Sequence, residues 1–262
     1  MLDLTQSENL LQTFVKVRAS LKPDEIIFMW SGNIYSVIPG ERNRLLFSID
    51  GYNVGRCMEI EGGYQHLMRE VTFYKDPAAG TILERWQNPF TQQEVEVVHV
   101  WNDPVNQQYL LDGPYGKFKL PIAQLGQDRL CASMDIMLAY PSPLPRSLYP
   151  QYSQNDLYQG AELFQFFFSQ QDAENPDLFS IPCDISWTRL GPWLPWMEMA
   201  DRPGSLLYQC SGYKLTAGYQ ELPVQVRTYV EQRDPKYMHA PDEFTRPNET
   251  SWTYFKKHLA HK

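Results

Sequence analysis

Arg69-Glu-Val-Thr-Phe-Tyr-Lys-Asp-Pro-Ala-Ala-Gly-Thr-Ile-Leu-Glu-Arg-Trp-Gln-Asn-Pro89 lies inside a longer run from Tyr64 to Asn106, and its reading decides the fold class. Arg69–Tyr74 alternates residue types as a strand does, Asp76–Gly80 supplies turn residues, and Thr81–Trp86 returns the chain. Asn88–Gln92 turns it again, Val95–Trp101 makes a third strand, and Asn102-Asp-Pro-Val-Asn106 stops it. Strands punctuated at short intervals by Pro, Gly and Asn predict an all-β, mainly antiparallel meander.

Working outward, Ile26–Trp30, Ile34–Ile38, Leu45–Ile49 and Val54–Ile60 are β-type runs. Turn signals at Gly32-Asn33, Pro39-Gly40, Asp50-Gly51 and Gly62-Gly63 separate them. Beyond the central run a short hairpin is expected around Asp112-Gly113-Pro114, then a long strand through Leu130–Leu138. Pro141–Tyr158, with four prolines, reads as a lid or rim loop. Phe164–Phe168 reads as strand or buried helix, its aromatics favouring strand, and Ile185–Arg189, Leu206–Leu215 and Leu222–Val230 complete the strand set, the last having the cleanest alternation. Helices are expected at both ends. One runs from about Gln6 to Ser20 behind a Thr5-Gln-Ser-Glu8 capping box, and one follows Asn248 or Thr250 with Trp252, Phe255 and Leu259 on one face. The expectation is one domain over 1–262, a large closed or nearly closed lipocalin-like barrel, with a two-sheet sandwich as the alternative.

Composition narrows the functional classes. The 262 residues carry 23 basic and 31 acidic side chains, a net charge of −8, which repels nucleic acid and anionic membrane surfaces. No apolar run approaches the ~20 residues of a membrane-spanning helix. The start, Met1-Leu-Asp-Leu-Thr-Gln-Ser-Glu, lacks a basic n-region and an apolar middle, so a cytoplasmic protein is expected. Cys57, Cys131, Cys183 and Cys210 are widely spaced and read as buried free thiols.

No nucleotide, hydrolase or zinc-protease motif is present, so the candidate chemistry is diffuse, and no cofactor is implied. His66/Glu70 and His99/Asp103 are spaced by four, which on a strand is about 13 Å, so neither pair meets locally. Glu70, His99 and Asp103 are the acid–base candidates, and His99 and Asp103 can meet only around the Asn102-Asp103-Pro104 corner. Arg69 and Glu70 are adjacent, so one of them points to whichever face is interior and needs a partner there. Trp187-Thr-Arg-Leu-Gly-Pro-Trp-Leu-Pro-Trp-Met197 presents large flat rings from a proline-stiffened backbone. It is either a core plug or the wall of a ligand cavity. In the second case Trp187, Trp193, Trp196 and Met197, with Trp86 and Tyr74, would line it, and Arg189 would anchor a polar group.

Trp30–Tyr35, Arg69–Pro77, Ile82–Pro89, Val100–Asn106 and the Trp187–Met199 run together resemble a bacterial family catalogued as domain of unknown function 1838. The resemblance implies a full-length match, one domain and a cyanobacterial source, and it brings no activity and no catalytic residues. Three functions are therefore expected in turn. The first is carriage of a hydrophobic or aromatic small molecule, such as a pigment or tetrapyrrole. The second is acid–base catalysis (a hydrolase or isomerase) on such a compound. The third is a structural or interaction role with a filled barrel.

Overall fold

The computed structural model describes residues 3–260. Helix α1 (Ser7–Arg18) leads into β1 (Ile26–Val37), β2 (Arg44–Ile60) and β3 (Gly63–Lys75). Short strands follow: β4 (Arg85–Gln87), β5 (Glu94–Glu96), β6 (Val100–Asn102), β7 (Gln107–Leu110), β8 (Asp112–Gly113), β9 (Gly116–Lys117) and β10 (Ile122–Gln124). The long strands β11 (Arg129–Pro141) and β12 (Leu157–Ser169), helix α2 (Gln170–Glu174), β13 (Asp184–Gly191) and β14 (Ser205–Lys214) come next. Helices α3 (Val224–Arg233) and α4 (Ser251–Ala260) close the chain.

Ten strands form one antiparallel sheet in the order β10-β11-β12-β13-β14-β1-β2-β3-β6, with β7 also on β3. Two meanders are joined where β14 pairs β1 from Phe28↔Lys214 to Val37↔Ser205. The hydrogen bonding does not close the sheet, because β10 at one edge and β6 and β7 at the other are unjoined. The closed barrel expected from the sequence is therefore not found, while the mainly antiparallel class is.

Two expected turns lie inside strands. Gly32-Asn33 falls within β1 and Asp50-Gly51 within β2, which runs unbroken for 17 residues. A glycine inside a strand marks close approach of a neighbour as readily as it marks a turn. A Cβ on Gly51 would stand 2.5 Å from Nε1 of Trp30 and 2.6 Å from Oγ1 of Thr72. Leu222–Val230 is also corrected, since Val224–Arg233 is helical. Leu222, Val226 and Val230 are buried while Val224 is 67 % exposed, which is a helical i, i+4, i+8 face nested inside an even-numbered alternation. Pro223, the residue before the helix, suits that start.

Three apolar clusters hold the layers. Leu11, Phe14 and Val15 of α1 pack with Phe28, Phe166 and Phe168 at one end of the sheet's inner face. Trp193, Trp196 and Met197 pack with Phe47, Tyr74 and the α4 residues Trp252 and Phe255 toward the other. Val226 and Val230 of α3 cover Ile27, Val54 and Val71 on the opposite face. The expected Thr5–Glu8 capping box does not form. Thr5 Oγ1 donates to Asp3 Oδ1 at 2.6 Å, and the helix starts behind Gln6 with no side-chain cap. At α4 the expected cap is Thr250, whose Oγ1 accepts from Thr253 N–H at 3.2 Å. Thr250→Ala should therefore lower stability by about 1 kcal/mol in urea unfolding.

Lys214, at the end of β14, is buried at the C-terminal end of α1. Its Nζ donates to Lys16 O at 2.6 Å, Ala19 O at 3.0 Å and Ser180 Oγ at 3.0 Å. The carbonyls at a helix end carry partial negative charge, so the ammonium also complements the helix dipole. All four cysteines are free and buried.

Candidate functional site

Between α1 and the Asn248–Trp252 stretch at the start of α4 lies a cavity of about 310 Å³. Strand periodicity builds its wall. Met68, Glu70, Thr72 and Tyr74 of β3 face it, as do Ile185, Trp187 and Arg189 of β13 and alternate residues of β11 and β12. The inward positions of β2 are Gly51, Asn53 and Gly55, so this strand contributes only one side chain, Asn53, and leaves room for its neighbours. The Trp30 indole occupies the space over Gly51, edge-on to Trp187 at 5.9 Å between ring centroids.

The cavity has an apolar side and a polar side. Met134, Ile136, Leu138, Phe164, Phe166 and Ile185 supply the first. On the second, Glu70 stands directly across the ladder from Asn53 on β2 and from Asn102 on β6. Arg18 reaches in from the last turn of α1, its Nη1 donating to Asn53 Oδ1 at 3.2 Å and its guanidinium 5.0 Å from the Phe28 ring. Among the described residues Glu70 makes no hydrogen bond or ion pair. Burial raises its carboxyl to about 7, nearby Glu162 adds to the shift, and Arg189 and Arg18 oppose it.

A second polar group comes from three strands in register, Glu162↔Arg189↔Tyr208. Arg189 Nη2 donates to the Tyr158 hydroxyl at 2.6 Å, and Nε lies 3.5 Å from Glu162 Oε1. Its guanidinium stacks 5.1 Å from the Tyr208 ring centre. Trp187 Nε1 donates to the other Glu162 oxygen at 3.2 Å.

Several residues of this lining carry buried polar atoms that have no partner among the described residues. They are Trp30 Nε1, Asn102 Oδ1, Asn248 Oδ1 and the Tyr208 hydroxyl, the last beside Tyr74 without a well-formed bond to it. Trp30 and Asn102 are 6 % exposed and Tyr208 3 %. Leaving such a group unmet costs about 1–3 kcal/mol.

A family model described as Protein of unknown function (DUF1838) matches residues 23–259. The chain belongs to this family. No curated protein matches it.

The segments quoted for the resemblance all fall within the DUF1838 match, and they feed different parts of the molecule. Glu70, Tyr74, Trp187 and Arg189 line the cavity. Trp193, Trp196, Met197 and Trp86 stand outside the lining. Trp196 packs edge-on against Phe47 and Tyr74, Trp86 against Phe47, and Trp193 Nε1 donates to Arg202 O. The tryptophan-rich run therefore divides at Pro192: its strand half faces the cavity and its irregular half is core.

His99 is buried among Phe73, Tyr74 and Tyr229, with Nδ1 accepting from the Tyr74 N–H at 3.1 Å. Burial lowers it to about 3, so the ring is neutral. Asp103 pairs with Arg69 Nε at 3.1 Å and Lys236 Nζ at 3.2 Å. Neither residue lines the cavity with Glu70. Of the adjacent pair, Arg69 faces out to Asp103 and Glu70 faces in.

Arg18, Trp30, Asn53, Asn102, Tyr158, Glu162 and Tyr208 were not singled out from the sequence. One signal was available for the floor, since Gly51-x-Asn53-x-Gly55 on a strand puts two glycines and an amide on one face. Among the described residues no group of three or more His, Cys, Asp or Glu could share a metal ion, and no helix is long and apolar enough to cross a membrane.

Proposed function

We propose that the cavity binds a flat, mainly apolar ring compound with polar groups at its edge. The supporting observation is the set of unpartnered buried polar atoms on Trp30, Asn102, Asn248 and Tyr208 around one aromatic-walled space. A ligand that meets them recovers their lost hydrogen bonds as well as burying its own apolar surface. At about 310 Å³ the space sits at the lower end of small-molecule pockets, roughly 300–1,000 Å³, which suits two or three fused rings better than a tetrapyrrole. On this reading the open sheet acts as a nearly closed barrel, with α1 and the Trp193–Met197 plug as its ends.

A second reading, an acid–base enzyme acting on the same compound, is favoured by Glu70. An unpaired carboxyl held near neutrality inside an apolar cavity is what proton transfer requires.

Titration with 2-naphthol tests the binding reading. It should quench tryptophan emission saturably, and Trp187→Phe should remove part of the signal while Trp196→Phe leaves the affinity unchanged. Arg189→Lys should weaken binding about tenfold, equivalent to ~1.4 kcal/mol, because the planar fork that reaches Tyr158 and stacks on Tyr208 is lost. Absence of saturable quenching by such ring compounds, with Trp30 and Trp187 both at the wall, would remove the proposal.

A further inference from the structure

The polar atoms of the cavity fall into two sets carried by different strands. On one side, Glu70 of β3 stands beside Asn102, carries no hydrogen bond, and looks into the space. On the other, β12, β13 and β14 bring Glu162, Arg189 and Tyr208 into register, with Tyr158 bound to Arg189. The Tyr208 hydroxyl is buried beside Tyr74, and the guanidinium against its ring opposes the burial that pushes this phenol up to about 12. Both sets line the same cavity. Among the described residues the lining contains no imidazole and no thiol. What it offers is one carboxyl able to take and return a proton and a hydroxyl able to stabilise developing charge on an oxygen. These are complementary requirements of a single reaction class.

We propose that the cavity catalyses proton transfer at a carbon next to a ring carbonyl, with Glu70 as the base and Tyr208 as the hydrogen-bond donor to the carbonyl oxygen. This rests on the reading that the cavity binds a ring compound. The Glu70 carboxylate removes a proton from the carbon, and the C–H electron pair becomes the C=C bond of an enolate. The carbonyl π pair moves to the oxygen, which accepts from Tyr208. The same carboxyl then returns the proton to that carbon or to the far end of the conjugated system, so atoms and electrons balance without a co-reactant. The apolar wall of Phe164, Phe166 and Ile185 holds the ring and keeps water from levelling the base. Arg189 is a positioning residue, since it acts through Tyr158 and Tyr208.

The probe is 2-tetralone, a fused bicycle with acidic protons on both sides of its carbonyl. Full-length protein in D2O at neutral pH should accelerate deuterium uptake next to the carbonyl, followed by proton NMR, well above the buffer rate. Glu70→Gln keeps the shape of the side chain and should cost about 10²–10⁴-fold in that rate with little change in half-saturation. Tyr208→Phe should cost about 10²–10³-fold. The rate should rise with ionisation of one group, and that dependence should vanish in Glu70→Gln.

Saturable quenching by 2-tetralone with no exchange above buffer would overturn proton transfer and leave the binding reading standing. Neither quenching nor exchange would overturn both. Exchange that survives Glu70→Gln undiminished would overturn the assignment of the base.

Discussion

Lys214→Met should cost roughly 2–4 kcal/mol of unfolding free energy at pH 8, read from urea midpoints. Methionine fills a similar space without a donor. It deletes three hydrogen bonds worth about 0.5–1.5 kcal/mol each, although Lys16 O keeps the Ile181 N–H and Ala19 O keeps the Ser180 hydroxyl. Against a total of about 5–15 kcal/mol this is a large share. The effect also carries a pH signature. Burial pushes the Lys214 ammonium down from 10.5 to about 7 in the folded state. Between those values the unfolded chain binds more protons than the folded one, so this group's contribution to stability rises with pH. The gap between wild type and Lys214→Met should widen from pH 7 toward 10.5 and be level below 7. A gap that stayed constant across that window would show that Lys214 keeps its proton throughout.

The opposite slope is expected at Glu70. Its carboxyl is raised from 4.5 to about 7, chiefly by burial, so the folded state holds a proton that the unfolded state has released. The associated stability is complete below about pH 4.5 and is lost as pH rises through 7. The shift corresponds to about 3 kcal/mol at ~1.36 kcal/mol per unit. Glu70→Gln removes the ionisation, so the variant should be more stable than wild type above pH 7 by up to about 3 kcal/mol and nearly equal to it at pH 4. Thermal unfolding at the two pH values measures this. A variant less stable at pH 8 would mean that Glu70 is a structural ion-pair partner, and the cavity would lose its candidate base. A side chain that lowers stability at working pH is the kind of cost that functional sites carry.

What could be read in the chain beforehand follows from how local each signal is. Alternation in β3 and β11 was legible because one face of each strand is dictated by burial alone. The free cysteines were legible because their spacing excluded a motif. The Gly32 and Gly51 positions were misread because a missing side chain satisfies a turn and a crowded strand interior equally well. Only the neighbour across the ladder, Cys210 in one case and Trp30 in the other, distinguishes them. The α3 segment was misread because β-branched residues at even positions satisfy both periods. Trp187 and Arg189 were legible as a flat ring and a fork of unusual composition. Their partners Tyr208, Glu162 and Tyr158 were not, because pairing across β12, β13 and β14 depends on register, which no single stretch encodes.

The β1–β14 seam has a consequence for how the protein is made. β1, β2 and β3 can pair as soon as they leave the ribosome, but the free edge of β1 must wait for β14. At about 5–20 residues per second the stretch from Val37 to Ser205 takes roughly 10–30 s to synthesise. During that time an unpaired edge ten residue pairs long stands open to any other extended chain. Crowded polysomes therefore expose this protein to strand exchange between neighbouring nascent copies. A circular permutant that begins at β10 and ends after β9 would present β14 before β1, shorten that wait, and make the same sheet in nearly sequential strand order.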